Sequence, residues 1–263
     1  MPETIKRVDY DKIGGVYDSS REANAETMAK LIALLGIGGE SLVLDMGCGT
    51  GNYTGALRNV AKSVVGIDLS SVMLEQAQAK FSGVSLVHGD VTSLPFSSEV
   101  FDGAFAVQVL HHVKEKELFL REAHRVLRKG AHLAIDSCSH RQMHAFWLYH
   151  YFPAGLSMDL ARIPDSGEIM GLLNAAGFTD ISIKISYTDV ASEHEKPERY
   201  LDGDYRAGQS TFCLLPEEEI ERGCRKLRED IKSGMAEQIV RRYEAEEARV
   251  GGSCIVYGER AVF

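Results

Sequence analysis

Leu42-Val43-Leu44-Asp45-Met46-Gly47-Cys48-Gly49-Thr50-Gly51 constrains this chain more than any other stretch. An apolar run of β propensity ends in an aspartate and is followed by glycines at alternate positions. Asn52 to Val60 can then continue as helix, so the whole reads as strand, tight turn and helix start. Glycine suits such a turn because the chain must reverse through unusual dihedrals and leave no Cβ in the way of a ligand lying against the backbone. That ligand belongs at the carboxyl end of the first strand of an open α/β sheet, against amides at a helix N-terminus.

The glycine spacing separates two kinds of ligand. A dinucleotide turn of the G-x-G-x-x-G pattern asks for glycines at 47, 49 and 52, whereas here the third is Gly51 and position 52 is Asn52. A nicotinamide oxidoreductase is therefore an alternative that the spacing disfavours. Asp45 repels a pyrophosphate but accommodates an ammonium or backbone amides, which points to a cationic ligand. Asp68 closes the run Ser63 to Asp68, where a carboxylate can accept both ribose hydroxyls of an adenosine, and Asp90 follows the short run Val84 to His88. Successive parallel strands put their carboxyl ends on one rim, so the three acids converge.

The pattern D-x-G-x-G-x-G, with an acid ending the next strand, resembles motifs I and II of the class I S-adenosylmethionine-dependent methyltransferases, type 11-like small-molecule enzymes in particular. The resemblance runs from about residue 10 to 188. It implies a Rossmann-like α/β fold, a seven-stranded and mostly parallel sheet with helices on both faces, and S-adenosyl-L-methionine as cofactor. Carried over residue by residue, it assigns the cofactor to Asp45, Gly47, Cys48, Gly49, Asp68, Leu69, Asp90, Val91 and Gln108. Asp90 would meet the adenine amine and the Val91 amide a ring nitrogen. Tyr17 and Arg21 would add an aromatic face beside the sulfonium and a guanidinium for the methionine carboxylate. Met73 lies in the first turn of a helix capped by Ser70-Ser71, either against the adenine or in the core.

Phe101 to Val107 reads as a fourth strand, and Gln108-Val109-Leu110-His111-His112 after it resembles motif IV, where the methyl group meets its acceptor. This puts Gln108, Leu110, His111 and His112 at the reaction pocket. His111 can serve as general base for a hydroxyl or amine, or simply cap the helix of Lys114 to Leu127. After a strand over Ala131 to Asp136, the segment His140 to Pro153 concentrates histidines and aromatics. As one helix it would align His140, His144, Trp147 and Tyr151, forming either a substrate wall or a packed interdomain helix. No carboxylate motif completes a metal site around these histidines, so none is expected.

Phe178 to Ile185 alternates as a strand should, and Ser253 to Phe263 reads as the last strand. The expected organisation is therefore a core with an N-terminal arm at 1–188, a helical lid inserted at 189–252, and the closing strand at 253–263. Tyr200, Tyr205, Arg206, Ser210 and Phe212 either face the acceptor pocket from the lid or hold the lid together.

Composition narrows the acceptor. A net charge of −9 repels phosphate backbones, which disfavours nucleic acid, and 44% hydrophobic with 25% charged residues is ordinary for a globular protein. Five cysteines without a C-x-x-C pair argue against a disulfide framework and suit a reducing cytoplasm. Neither a signal-peptide pattern nor an apolar run of about eighteen residues is present. The reading is methyl transfer to a small, partly apolar acceptor such as a secondary metabolite. A tRNA-modifying methyltransferase and a non-catalytic cofactor-binding protein are the alternatives, and oligomeric state is left open.

Overall fold

The structure, a computed structural model, describes residues 22–188 and 196–262. Its strands are β1 (Leu42–Met46), β2 (Ser63–Asp68), β3 (Ser85–His88), β4 (Phe101–Val107), β5 (Leu127–Ser137), β6 (Phe178–Tyr187) and β7 (Ser253–Arg260). Helices α1 (Ala25–Leu35), α2 (Asn52–Leu57), α3 (Ser71–Lys80) and α4 (Lys116–Val126) belong to the first half. Then come α5 (His140–His144), α6 (Leu148–Tyr151), α7 (Pro153–Arg162) and α8 (Ser166–Ala175). Between β6 and β7 lie α9 (Gly203–Ala207), α10 (Ser210–Leu214), α11 (Glu217–Ser233) and α12 (Met235–Val250).

The seven strands form one sheet in the order β3-β2-β1-β4-β5-β7-β6, with β7 antiparallel to both neighbours and the other pairings parallel. The two-residue period of the strands sorts side chains to two cores. Val43 joins Leu31 and Leu35 of α1 and Leu57 of α2 on one face. Leu44 and Met46 join Phe119 and Leu120 of α4 and Ile169 and Leu173 of α8 on the other. This is the α/β fold the sequence leads one to expect, and Ser70 caps α3 as its position implies, accepting from the Met73 amide at 3.2 Å.

Three local expectations are corrected. The fifth strand begins at Leu127, not Ala131, and the last ends at Arg260. The segment from His140 to Pro153 is not one helix: it breaks after His144, and Pro153 opens α7, since proline cannot continue a helix but suits its first turn. The aromatics of this segment also belong to neither of the sheet's two cores. Trp147, Tyr151 and Phe152 share a third apolar cluster with Tyr200, Phe212, Leu215, Ile220 and Leu227, so two excursions from the sheet form one helical lobe. The amphipathic α11 needs an apolar partner, and the aromatic segment after β5 supplies it.

Polar contacts also tie the lobe together. Asp159 (1% exposed) accepts from Arg162 Nε at 2.6 Å, the Tyr149 hydroxyl at 2.8 Å and the Thr211 hydroxyl at 2.7 Å, while Arg162 Nη2 donates to Ser210 Oγ at 2.9 Å. The last two partners come from α10, across 52 and 48 residues of chain. The lobe returns to the sheet through Gly251 and Gly252. A Cβ on either would lie 2.2 Å from Ile185 or the Tyr187 ring, and the Gly252 amide donates to Tyr187 O at 3.1 Å.

Glu247 occupies the buried stripe of α12, where no described residue donates to its Oε1. Burial, with Glu244 adding to it, pushes this carboxyl from 4.5 up to about 8. The folded protein therefore binds a proton that the unfolded chain releases, and stability falls as pH rises from about 4.5 to about 8. Glu247→Gln is expected to stabilise the protein by roughly 2 kcal/mol at pH 9 and by nothing at pH 4, read as the difference in Tm between variant and parent. Equal gains at both values would refute the burial argument.

Candidate functional site

Strand order reverses between β1 and β4, so the chain leaving their carboxyl ends diverges and opens a crevice. The glycine turn lies at its edge. Gly47, Gly49 and Gly51 have φ of 80°, 53° and 75°, and the amides of Gly47 and Cys48 both donate to Ile67 O, at 2.8 and 3.0 Å. A Cβ on Gly47 would stand 2.6 Å from Val109 Cγ1, so the turn fits against the second residue beyond β4 only while this position is bare.

Two carboxylates brace the turn. Asp68 Oδ2 accepts the Gly49 amide at 2.8 Å and Oδ1 the Ser70 amide at 2.9 Å, leaving further lone pairs for a ligand. Burial raises its pKa. Asp45 is buried beneath the turn and accepts from the Thr54 hydroxyl at 2.6 Å. Desolvation, with Asp68 adding a smaller push, brings it up to about 7. A cation placed against Asp45 would draw that proton off. Burial, then the same two acids, pushes the Cys48 thiol far up, which removes it as a nucleophile.

The remaining candidates sort themselves along the rim. Leu69 is 67% exposed beside Asp68, an apolar surface available to a flat ring. Asp90 is exposed at the end of β3, with Oδ1 accepting from the Thr92 amide at 2.8 Å and the Thr92 hydroxyl at 2.7 Å, and Val91 follows half-buried. Met73 is 1% exposed, which makes it a core side chain and not a rim one. Tyr17 and Arg21 lie outside the described residues.

Gln108, the first residue after β4, has φ of 56°, a left-handed conformation that non-glycine residues adopt mainly under local constraint. Its amide donates to Asp136 O at 3.0 Å and its side-chain Nε2 to Asp136 Oδ1 at 2.8 Å, while Ser253 Oγ donates to the other Asp136 oxygen at 2.9 Å. Leu110, His111 and His112 form a single 3-10 turn, with the two imidazole centroids 3.9 Å apart. The cap of α4 is Glu115, so His111 does not cap that helix.

The aromatic candidates fare differently. Trp147, Tyr151 and Tyr200 are 2–3% exposed and meet edge to face, Trp147 with Tyr200 at 5.2 Å and with Tyr151 at 6.2 Å. They are the lobe's core and not the wall of a pocket, because the two excursions close on them. His144 is exposed at the end of α5. Arg206 donates to Tyr200 O at 2.6 Å and lines a cavity of about 310 Å³ with Glu217, Cys224 and Arg228, none of whose lining residues belongs to the rim. Among the described residues no group of three His, Cys, Asp or Glu could hold a metal ion. Nor is any helix among them long and apolar enough to cross a membrane.

Sequence reasoning missed Asp136 and Ser253. One signal was present: Asp136 sits near the end of β5 as Asp45, Asp68 and Asp90 sit at earlier strand ends. The pair Asp159 and Arg162, three residues apart on one helix, had no signal that singled it out.

The crevice, the bare glycine turn and the acids around it fit an adenosyl sulfonium. Residues 44–135 match the methyltransferase domain family, whose class I S-adenosylmethionine-dependent members this chain resembles. It is similar to the demethylmenaquinone methyltransferase of Staphylococcus epidermidis, 28% identical over 210 residues that make up 70% of this chain and 86% of that one. It also resembles O-methyltransferase resE of Aspergillus sclerotiorum, 36% identical over 104 residues, or 36% of this chain and 39% of the other. Among solved structures, one from Anabaena variabilis described as a methyltransferase from an antibiotic biosynthesis pathway aligns with a TM-score of 0.76. It has 26% identity and covers 90% of this chain and 98% of its own. The chain is thus an enzyme whose cofactor is S-adenosyl-L-methionine.

Proposed function

We propose that this enzyme methylates a small, partly apolar acceptor, such as a secondary metabolite or quinone-like precursor, seated between the rim and the helical lobe. The observation that carries this reading is where the lobe is rooted. Its chain leaves the sheet after Ser137 and again between Tyr187 and Ser253, all at the carboxyl rim and on the β5–β7–β6 side of Gln108. The lobe thus stands beside the crevice, over the half of the sheet opposite Asp68 and Asp90. The names of the two sequence relatives agree with a small acceptor, and the net charge of −9 opposes a nucleic-acid one.

In this reading Asp68 holds the ribose, the glycine turn lies against the cofactor backbone, and Asp45 sits beneath as a counter-charge. Leu69 and Val91 flank the adenine, with Asp90 at its edge. S-adenosylmethionine supplies, when bound, a methyl group already activated by its sulfonium. The protein has mainly to align the acceptor and exclude water, which the lobe does. His111 is the candidate to take an acceptor proton, but alignment does not require it. The lobe is the lid over the acceptor, the core reaches to about residue 188 apart from the aromatic segment that joins the lobe, and the free thiols suit a reducing cytoplasm.

The test is incubation with methyl-labelled S-adenosylmethionine and a cell extract, followed by fractionation of the label. Recovery of the label in a small, solvent-extractable product is expected, and label in the RNA or protein fraction would overturn the reading. Asp68→Ala should weaken cofactor binding by about 1–3 kcal/mol, measured calorimetrically. Unchanged affinity in that variant would count against the ribose assignment.

A further inference from the structure

Gln108 is held more elaborately than cofactor contact alone requires. Its backbone is strained at φ 56°, its main-chain amide is tied to Asp136 O, and its side-chain nitrogen is tied to Asp136 Oδ1 at 2.8 Å, with Cys138 Sγ at 3.9 Å on the same side. Asp136 is 3% exposed, and its second oxygen accepts from Ser253 Oγ at 2.9 Å.

A carboxylate that takes one donor on each oxygen can only accept, and it therefore dictates which end of the Gln108 amide faces it. The nitrogen turns toward β5. The oxygen Oε1, on the other branch of the same carbon, is thereby kept off the Asp136 carboxylate. No described residue donates to Oε1. The crevice between β1 and β4 is where the glycine turn and Val109 meet, 2.6 Å from where a Gly47 Cβ would be.

We propose that Asp136 and Ser253 are positioning residues that aim the negative end of the Gln108 amide at the positively charged sulfonium of the cofactor. The amide then favours the charged methyl donor over the neutral thioether left after transfer, and release of that product is assisted. This inference rests on the reading of the crevice as the cofactor site. It concerns Gln108 Oε1 and the pair behind it, not the acids on β1 to β3.

The experiment is calorimetric titration of the full-length protein with S-adenosylmethionine and, separately, S-adenosylhomocysteine. The two share the adenosine, carboxylate and ammonium but differ in charge at sulfur. Gln108→Met is expected to weaken the sulfonium compound about tenfold and the thioether less than about twofold, since only the first loses a charge-assisted contact. Asp136→Asn lets the amide pair satisfy itself in either orientation, and should lower the preference about threefold in the same direction. Ser253→Ala removes one hydroxyl, and is the variant to rely on if a change at Gln108 or Asp136 prevents folding. It should shift the preference the same way by a smaller factor. Equal weakening of both compounds in a folded variant would overturn the proposal by showing that the network serves only structure or the shared part of the ligand. Unchanged binding of both would overturn it by removing Gln108 from the ligand's reach. If the parent protein binds neither compound, the cofactor reading itself falls, a result distinct from the other two.

Discussion

Gly47→Ala should lose at least about a hundredfold in affinity for S-adenosylmethionine while leaving the chain folded. Two costs combine. The residue has φ of 80°, where an L side chain is disfavoured by about 1–2 kcal/mol. The added methyl would also stand 2.6 Å from Val109 Cγ1, and relieving such an overlap costs typically about 1–3 kcal/mol. The turn can meet both only by shifting, and its shift carries the Gly49 amide off Asp68. A second substitution separates the two costs: Gly47→Ala with Val109→Ala removes the overlap but not the dihedral strain, and should recover part of the affinity. Parent-like binding in the single variant would mean that the glycine turn is not the cradle.

Asp159→Ala should destabilise the protein by about 3–5 kcal/mol, the range for breaking a buried ion pair from one side. The guanidinium of Arg162, 9% exposed, would be left in the lobe without its counter-charge, and Tyr149 and Thr211 would each lose the acceptor of their hydroxyl. Urea unfolding measures the loss. Replacing Asp159 and Arg162 together with residues of similar volume and no charge should cost far less than either single change, because no charge is then stranded. If the double variant is no better than the singles, the pair does more than neutralise itself.

The parts of this molecule that were legible in the sequence are the ones written locally. The strand, glycine turn and helix at residues 42–57 occupy consecutive positions. Asp45, Asp68 and Asp90 each end a short apolar run, so parallel pairing brings them together without further information. The lobe was legible only in outline, because its core joins Trp147 and Tyr151 to Tyr200 and Phe212 across an intervening strand and helix. An aromatic reads the same whether another segment covers it or a ligand does, which is why pocket wall and packed interior stand as alternatives for those residues in the sequence. The strain at Gln108 has no local signature either. The side chain there is held by Asp136, 28 residues along the chain, which is held in turn by Ser253, a further 117 residues on.

The paired ends of the lobe's longer excursion have a practical consequence. Tyr187 and Ser253 are opposite one another in the sheet, so the chain that departs at one returns beside it at the other. A short turn could bridge that gap and leave the sheet intact. The excised piece would not be independent, however, because its aromatic interior is completed by the helices after β5. An engineer wishing to exchange acceptor preference between related enzymes must therefore transplant both segments as one cassette, and moving either alone would expose half of a hydrophobic interface.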